Sequence, residues 1–211
     1  MAATLVNSAD SHVVEPLDLW VERLPANLRD RAPRIAEIDG EPRLLVEGMV
    51  PRRMGGGGNT EAERRDRERE SESHFRSGGW DPTQRILDLD EDGVWGEVLY
   101  PTIALFGFMI PDTELRWASC RAYNDWLAET FAAQSKRFAG AAMVAVQEIE
   151  PAVAEIERVA GLGLRSIMLP MQAPEGRPYN SREYDAVWAA AHEARAKYNI
   201  RFIPQDWLEQ R

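Results

Sequence analysis

The chain holds one cysteine, Cys120, in 211 residues, so no disulfide forms within it and a reducing, cytoplasmic setting is expected. Cys120 sits inside a strongly helical pattern with no nucleophile's context, which reads as a buried structural thiol. No stretch approaches the ~18 consecutive apolar residues of a membrane span. Met1 to Ala9 lacks both a basic residue and a long apolar run, which speaks against a signal peptide. Positive charge is also short. There are 25 Lys and Arg against 35 Asp and Glu, a formal net charge of −10, and such a chain repels phosphate on average. Nucleic acid and anionic membranes are therefore poor partners, and a small-molecule substrate is the better expectation. Histidine is scarce as well, at three residues, so each can be weighed by itself.

What is present is a regular alternation. Leu5 to Ala9 is a short strand ending at Asp10, and Pro16 opens a helical turn through Leu17, Leu19 and Trp20. Ile35 to Ile38 and Leu44 to Val46 flank Asp39-Gly40, a hairpin signal. Gly55 to Gly58 then leads into a run from Glu61 to Glu72 that is nearly all Glu, Arg and Asp. This charged insertion, at about 52–77, has no apolar surface to bury. Asp81, Pro82 and Gln84 mark a helix start with a capping box, and Gly93 marks its stop. Val94 to Tyr100 is a strand, and Asp112 caps a long helix to about Gln134. Phe138 to Val146 suits a strand covered on both faces, Glu150 to Gly161 a helix and Leu164 to Leu169 a strand. Asn180 and Glu183 frame a second capping box, before a helix with Tyr184, Val187, Trp188 and Ala191 as its buried stripe. Ile200 to Ile203 is a last short strand.

Strand and helix in strict alternation imply parallel strands with crossover helices, in one domain over 1–211. An open doubly wound sheet and a (β/α)₈ TIM barrel share that pattern. The open sheet usually displays a glycine-rich phosphate loop after its first strand, and here that strand ends in Asp-Ser-His, which favours the barrel. A barrel needs eight strands and roughly 250 residues. Five strands are legible, so the expected fold is an α/β barrel truncated to about five βα units.

Asp10 and His12 lie two apart at the carboxyl end of the first strand, where extended backbone turns both side chains to one side. A carboxylate and an imidazole there suit a divalent metal; a capping Asp beside a hydrogen-bonded His is the other reading. Asp88-Leu89-Asp90-Glu91-Asp92-Gly93 opens like a calcium loop, but its twelfth position is Leu99, so an exposed helix end explains it better. His74 falls in the charged insertion. His192 adjoins a buried stripe and reads as a partly buried structural histidine. The apolar run Ile103 to Ile110 follows a strand and either lines a substrate pocket, with Phe106 and Phe108, or packs on neighbouring loops.

The run Ser8-Ala9-Asp10-Ser11-His12-Val13-Val14-Glu15-Pro16 with Leu19-Trp20 resembles the opening of the amidohydrolase-related family (amidohydrolase 2), in the branch of aminocarboxymuconate semialdehyde decarboxylase. Gly78-Gly79-Trp80-Asp81-Pro82, Asp92-Gly93-Val94, Glu97 to Thr102, Arg121 to Leu127 and Gly161 to Arg165 are similar to the same family, in the right order. The resemblance implies a (β/α)₈ barrel with one divalent metal, zinc first and manganese or iron next. It implies a hydrolase or non-oxidative decarboxylase (a carboxy-lyase) acting on a small carboxylic or aromatic compound. It maps the first two metal ligands onto Asp10 and His12 and leaves Glu15 as a group behind the ligands, a substrate-facing group or a surface helix start. The sequence departs from the family pattern at its end. Ile200 to Asp206 carries no His, Asp206 is a weak substitute, and the tail at about 199–211 is atypical. The expectation is a truncated form with impaired activity. The alternative is an inactive half-barrel that persists through association, as a homo-oligomer or with a second half.

Overall fold

A computed structural model of the chain describes residues 6–53 and 77–198. The charged run Glu61 to Glu72, His74, the expected strand Ile200 to Ile203, and Asp206 lie outside the described residues.

Strand β1 spans Val6–His12, three residues further than its small side chains suggested, and is followed by helix α1, Leu19–Arg23. Strands β2 (Arg34–Ile38), β3 (Glu41–Leu45) and β4 (Arg52–Arg53) form a separate antiparallel sheet. Its first turn is Asp39-Gly40, both at positive φ, as a two-residue turn matched to strand twist requires. Helix α2 (Pro82–Glu91), strand β5 (Val94–Tyr100), helix α3 (Thr113–Leu127), strand β6 (Phe138–Met143), helix α4 (Ile149–Gly161), strand β7 (Ser166–Met168) and helix α5 (Asp185–Tyr198) complete the order. The main sheet runs β1-β5-β6-β7 with every pairing parallel, so the alternation became the βαβ architecture it implied.

The sheet separates two apolar layers. Leu99 and Phe138 face the core formed with α1 and α3. Val98, Ala139 and Ala141, with Tyr100 and Met168 against them, line the opposite face. Its small alanines suit a closely packed face. Gly140 permits the outer packing: a Cβ there would stand 2.8 Å from side-chain carbons of Leu127 and Leu164.

Local signals were honoured where nothing competed with them. Asp81 caps α2 through Thr83 N–H at 2.8 Å, and Asp112 caps α3 through Leu115 N–H at 2.8 Å. Neither capping box closes. Gln84 donates forward to Asp88 instead, and Glu183 pairs with Arg177 while a 3₁₀ turn, Arg182–Tyr184, precedes α5. The buried stripe holds for Val187 and Ala191 on α5 and for Tyr184 in the turn before it, but Trp188 lies at the surface. His192 is exposed rather than partly buried, because it lies about 100° around the helix from Ala191. Helix α3 ends in a π turn over Ala128–Ala132, two residues short of Gln134.

Candidate functional site

The carboxyl ends of β1 and β5 lie side by side, with His12 opposite Tyr100. Between Ser8 and Ser11, β1 advances three residues while β5 advances two, from Glu97 to Leu99. The extra residue is a β-bulge, a device that re-aims side chains at the end of a strand, and Asp10 sits within it. The hydroxyls of Ser8 and Ser11 bond across it at 2.8 Å.

His12 Nδ1 lies 2.8 Å from the Pro101 carbonyl oxygen. A carbonyl only accepts, so Nδ1 carries a proton and Nε2 is the ring nitrogen left to meet a ligand. That Nε2 faces Asp10 Oδ1 at 3.7 Å. An imidazole nitrogen and a carboxylate oxygen at that separation can share a divalent cation, since ligand distances of about 2.0–2.2 Å to each atom fit the gap. The pair is open to solvent, with the Asp10 side chain 85% and that of His12 49% exposed. The Tyr100 ring lies 6.2 Å from the His12 ring, and burial first, then the Asp10 charge, holds its phenol above the ordinary range. The donor set fits a divalent metal. Among the described residues, however, no group of three His, Cys, Asp or Glu comes together, so Asp10 and His12 stand as a pair.

Glu15 is buried to 1% exposure, and its carboxylate accepts the backbone N–H groups of Thr102 and Ile103 at 2.9 Å and of Ala104 at 3.1 Å. Burial pushes its carboxyl upward, and these donors pull the other way. With Thr102 Oγ1 donating to the Val13 carbonyl at 2.7 Å, Glu15 staples the segment after β5 to the end of β1. That segment continues as a 3₁₀ stretch, Ala104–Met109. Phe106 and Phe108 are half-buried against the core, and the Arg52 guanidinium lies 4.8 Å from the Phe106 ring centre. A cavity of about 1090 Å³ runs along the outer edge of β1; Ser8, His12, Glu15, Trp80 and Arg85 line it, while Phe106 and Phe108 do not.

The arrangement includes a buried ion pair that sequence reasoning passed over. Arg85 of α2 grips Glu97 of β5 through two nitrogens, and its Nη1 donates to the carbonyls of His12 at 3.0 Å and Gly78 at 3.1 Å. The available signal was Glu97 itself, a charge inside an apolar strand that has to find a partner when buried. The acidic run from Asp88 belongs to the end of α2, where Asp88 accepts from Gln84 and Asp90 pairs with Arg137, so no calcium loop forms. Cys120 is buried, with its thiol pushed up to about 12 by burial and the Glu155 charge.

Comparison with known proteins bears on the family and the fold. The family model for amidohydrolases matches residues 55–206. Among solved structures, an amidohydrolase from Mycobacterium avium subsp. paratuberculosis K-10 superposes with a TM-score of 0.69 at 19% identity. The match covers 90% of this chain and 56% of that one. A 2,6-dihydroxybenzoate decarboxylase from Rhizobium gives 0.51 at 17% identity, over 91% of this chain and 48% of that one. The IDCase of Metarhizium anisopliae in apo form gives 0.54 at 14%, over 90% and 48%. The chain thus spans about half the length of these structures.

Proposed function

The chain belongs to the amidohydrolase family, and from that premise we propose that Asp10 and His12 are ligands of one divalent metal in a hydrolase or non-oxidative decarboxylase acting on a small carboxylic or aromatic compound. One observation carries the reading: the Pro101 carbonyl fixes the His12 tautomer so that Nε2, facing Asp10 Oδ1 across 3.7 Å, is the free nitrogen. Zinc suits the donor types first, manganese or iron next. The chemistry such an ion supplies is Lewis acidity toward a substrate oxygen or a bound water.

The chain's own groups do the rest. The Tyr100 phenol, held above its ordinary range by burial and the Asp10 charge, stays a neutral group beside the pair. Glu15 acts by holding the segment that carries Pro101, since all three of its partners are backbone N–H groups. Phe106 and Phe108 pack against the core and anchor that segment rather than facing the cavity. A cytoplasmic setting agrees with the single buried thiol, and no helix among the described residues is long and apolar enough to cross a membrane.

The test is metal analysis of the purified full chain beside a His12→Ala variant, with release of carbon dioxide from 2,6-dihydroxybenzoate and related acids as the activity readout. Metal retained by the parent and lost from the variant supports the reading. Equal metal content in both, or none in either, sinks it.

A second reading, association through the sheet edge, is favoured by the apolar side chains near β1: Val6, Leu17 and Trp80 are 51%, 56% and 42% exposed. Light scattering on the full chain decides it, with a monomer counting against it.

A further inference from the structure

The ion pair between Arg85 and Glu97 has more donors than a simple strut requires. Glu97 is 2% exposed and lies opposite Ser8 in the β1–β5 register, so its charge sits beside the strand that carries His12. Both of its oxygens are taken by Nε and Nη2 of Arg85, which compensates the buried carboxylate. The remaining nitrogen is spent on two main-chain carbonyls from separate parts of the chain. One is His12 itself and the other is Gly78. The Gly78 turn is in turn tied to β1, because Val14 N–H donates to the Gly79 carbonyl at 2.8 Å. His12 is therefore fixed at two points. Its ring is held by Pro101 on one side and its backbone carbonyl by Arg85 on the other.

We infer that Arg85, locked in place by Glu97, is the positioning residue of the candidate metal site: its fork fixes the His12 backbone so that the imidazole presents Nε2 beside Asp10. The inference rests on the proposed role of His12. A planar fork can span a carboxylate and two carbonyls at once, whereas an ammonium is a single point of charge. A guanidinium serving only as the counter-charge of Glu97 would be replaced by lysine without consequence for His12. A guanidinium that sets the His12 backbone would not.

The experiment uses the full chain and its Arg85→Lys, Glu97→Gln and His12→Ala variants, with folding checked by circular dichroism. Cobalt(II) titration followed by its visible absorption reports metal affinity. The ¹⁵N resonances of His12 in the metal-free protein report its tautomer and surroundings independently. Folded R85K is expected to bind cobalt about 10–100-fold more weakly, the usual effect of losing a group that orients a ligand. Its His12 nitrogens are expected to shift. E97Q, which leaves Arg85 without its charged partner, is expected to show the same changes at smaller size, and it decides the matter if R85K does not fold. Unchanged cobalt affinity and unchanged His12 resonances in the folded variants overturn the inference. If the parent itself binds no cobalt, the metal reading of His12 falls, and the resonances alone still decide whether Arg85 positions that ring.

Discussion

Asn124 holds both main-chain groups of Met143: its amide nitrogen donates to the Met143 carbonyl at 2.9 Å, and its amide oxygen accepts the Met143 N–H at 2.7 Å. The same amide nitrogen reaches the fully buried Glu155 at 2.8 Å, so one side chain on α3 ties β6 to α4. Glu155 is neutralised in turn by Arg121 and Arg158. The docking of α3 and α4 against β6 depends on this joint.

Asn124→Ala is expected to be among the most damaging single changes. It leaves the Met143 N–H without its acceptor and removes a donor from Glu155, at about 1–3 kcal/mol for each buried group left unpaired. Urea denaturation should show a lower midpoint with an unchanged slope. A midpoint equal to the parent's would refute the role.

Glu15→Gln tests the staple. A glutamine keeps the size but turns an N–H₂ toward one of the three backbone donors, a loss of about 1–3 kcal/mol. Hydrogen exchange should quicken at Ile103 and Ala104 while α4 stays protected. The pH dependence has a definite sign. The native carboxyl lies above its ordinary value of 4.5, so the folded state holds the proton longer than the unfolded state. Stability therefore falls as pH rises through the interval above 4.5, and this component should vanish in E15Q.

Asp112 works in the opposite direction. Its bonds to Leu115 N–H and then to Arg31 hold its carboxyl below 3.8, and Arg31 likewise depresses Glu47. Their contribution is present above the unfolded values and is lost as pH falls through the depressed native ones. Asp112→Asn keeps a capping oxygen without the charge, so its acid-unfolding curve should be shallower than the parent's. An identical curve would remove Asp112 from the acid response.

Cys120, with a thiol pushed up to about 12 and no path to solvent, should resist iodoacetamide at pH 8 in the native protein and react fully in denaturant. Rapid native alkylation, followed by mass spectrometry, would contradict its burial.

Asp10→Asn tests the second proposed ligand. The side chain is 85% exposed, so thermal stability without metal should stay within a degree or two of the parent's, on the order expected of a surface change. Calorimetric metal affinity should drop. An unchanged affinity would leave His12 as the lone contributor.

The sequence determined the parts whose causes are local. Alternating apolar runs and helix starts placed β5, β6, α2, α3 and α4, because burial period and capping chemistry act within a few residues. Asp10 and His12 stood out at the end of β1 by family resemblance more than by their Asp-x-His spacing, which alone is a weak signal. Tertiary structure decided what lies between distant segments. The bulge that carries Asp10, the Pro101 carbonyl 89 residues from His12 and the Arg85 fork beneath it arise only when β1, α2 and β5 pack together. Glu15 turned inward for that reason too, since its three partners lie 87 to 89 residues away. The box at Gln84 stays open because the Asp81 N–H it would accept goes to the Ser77 carbonyl at 2.7 Å, and Glu183 is drawn to Arg177 instead. A hydrogen bond's worth depends on the alternatives at hand, and those are set by packing rather than by spacing.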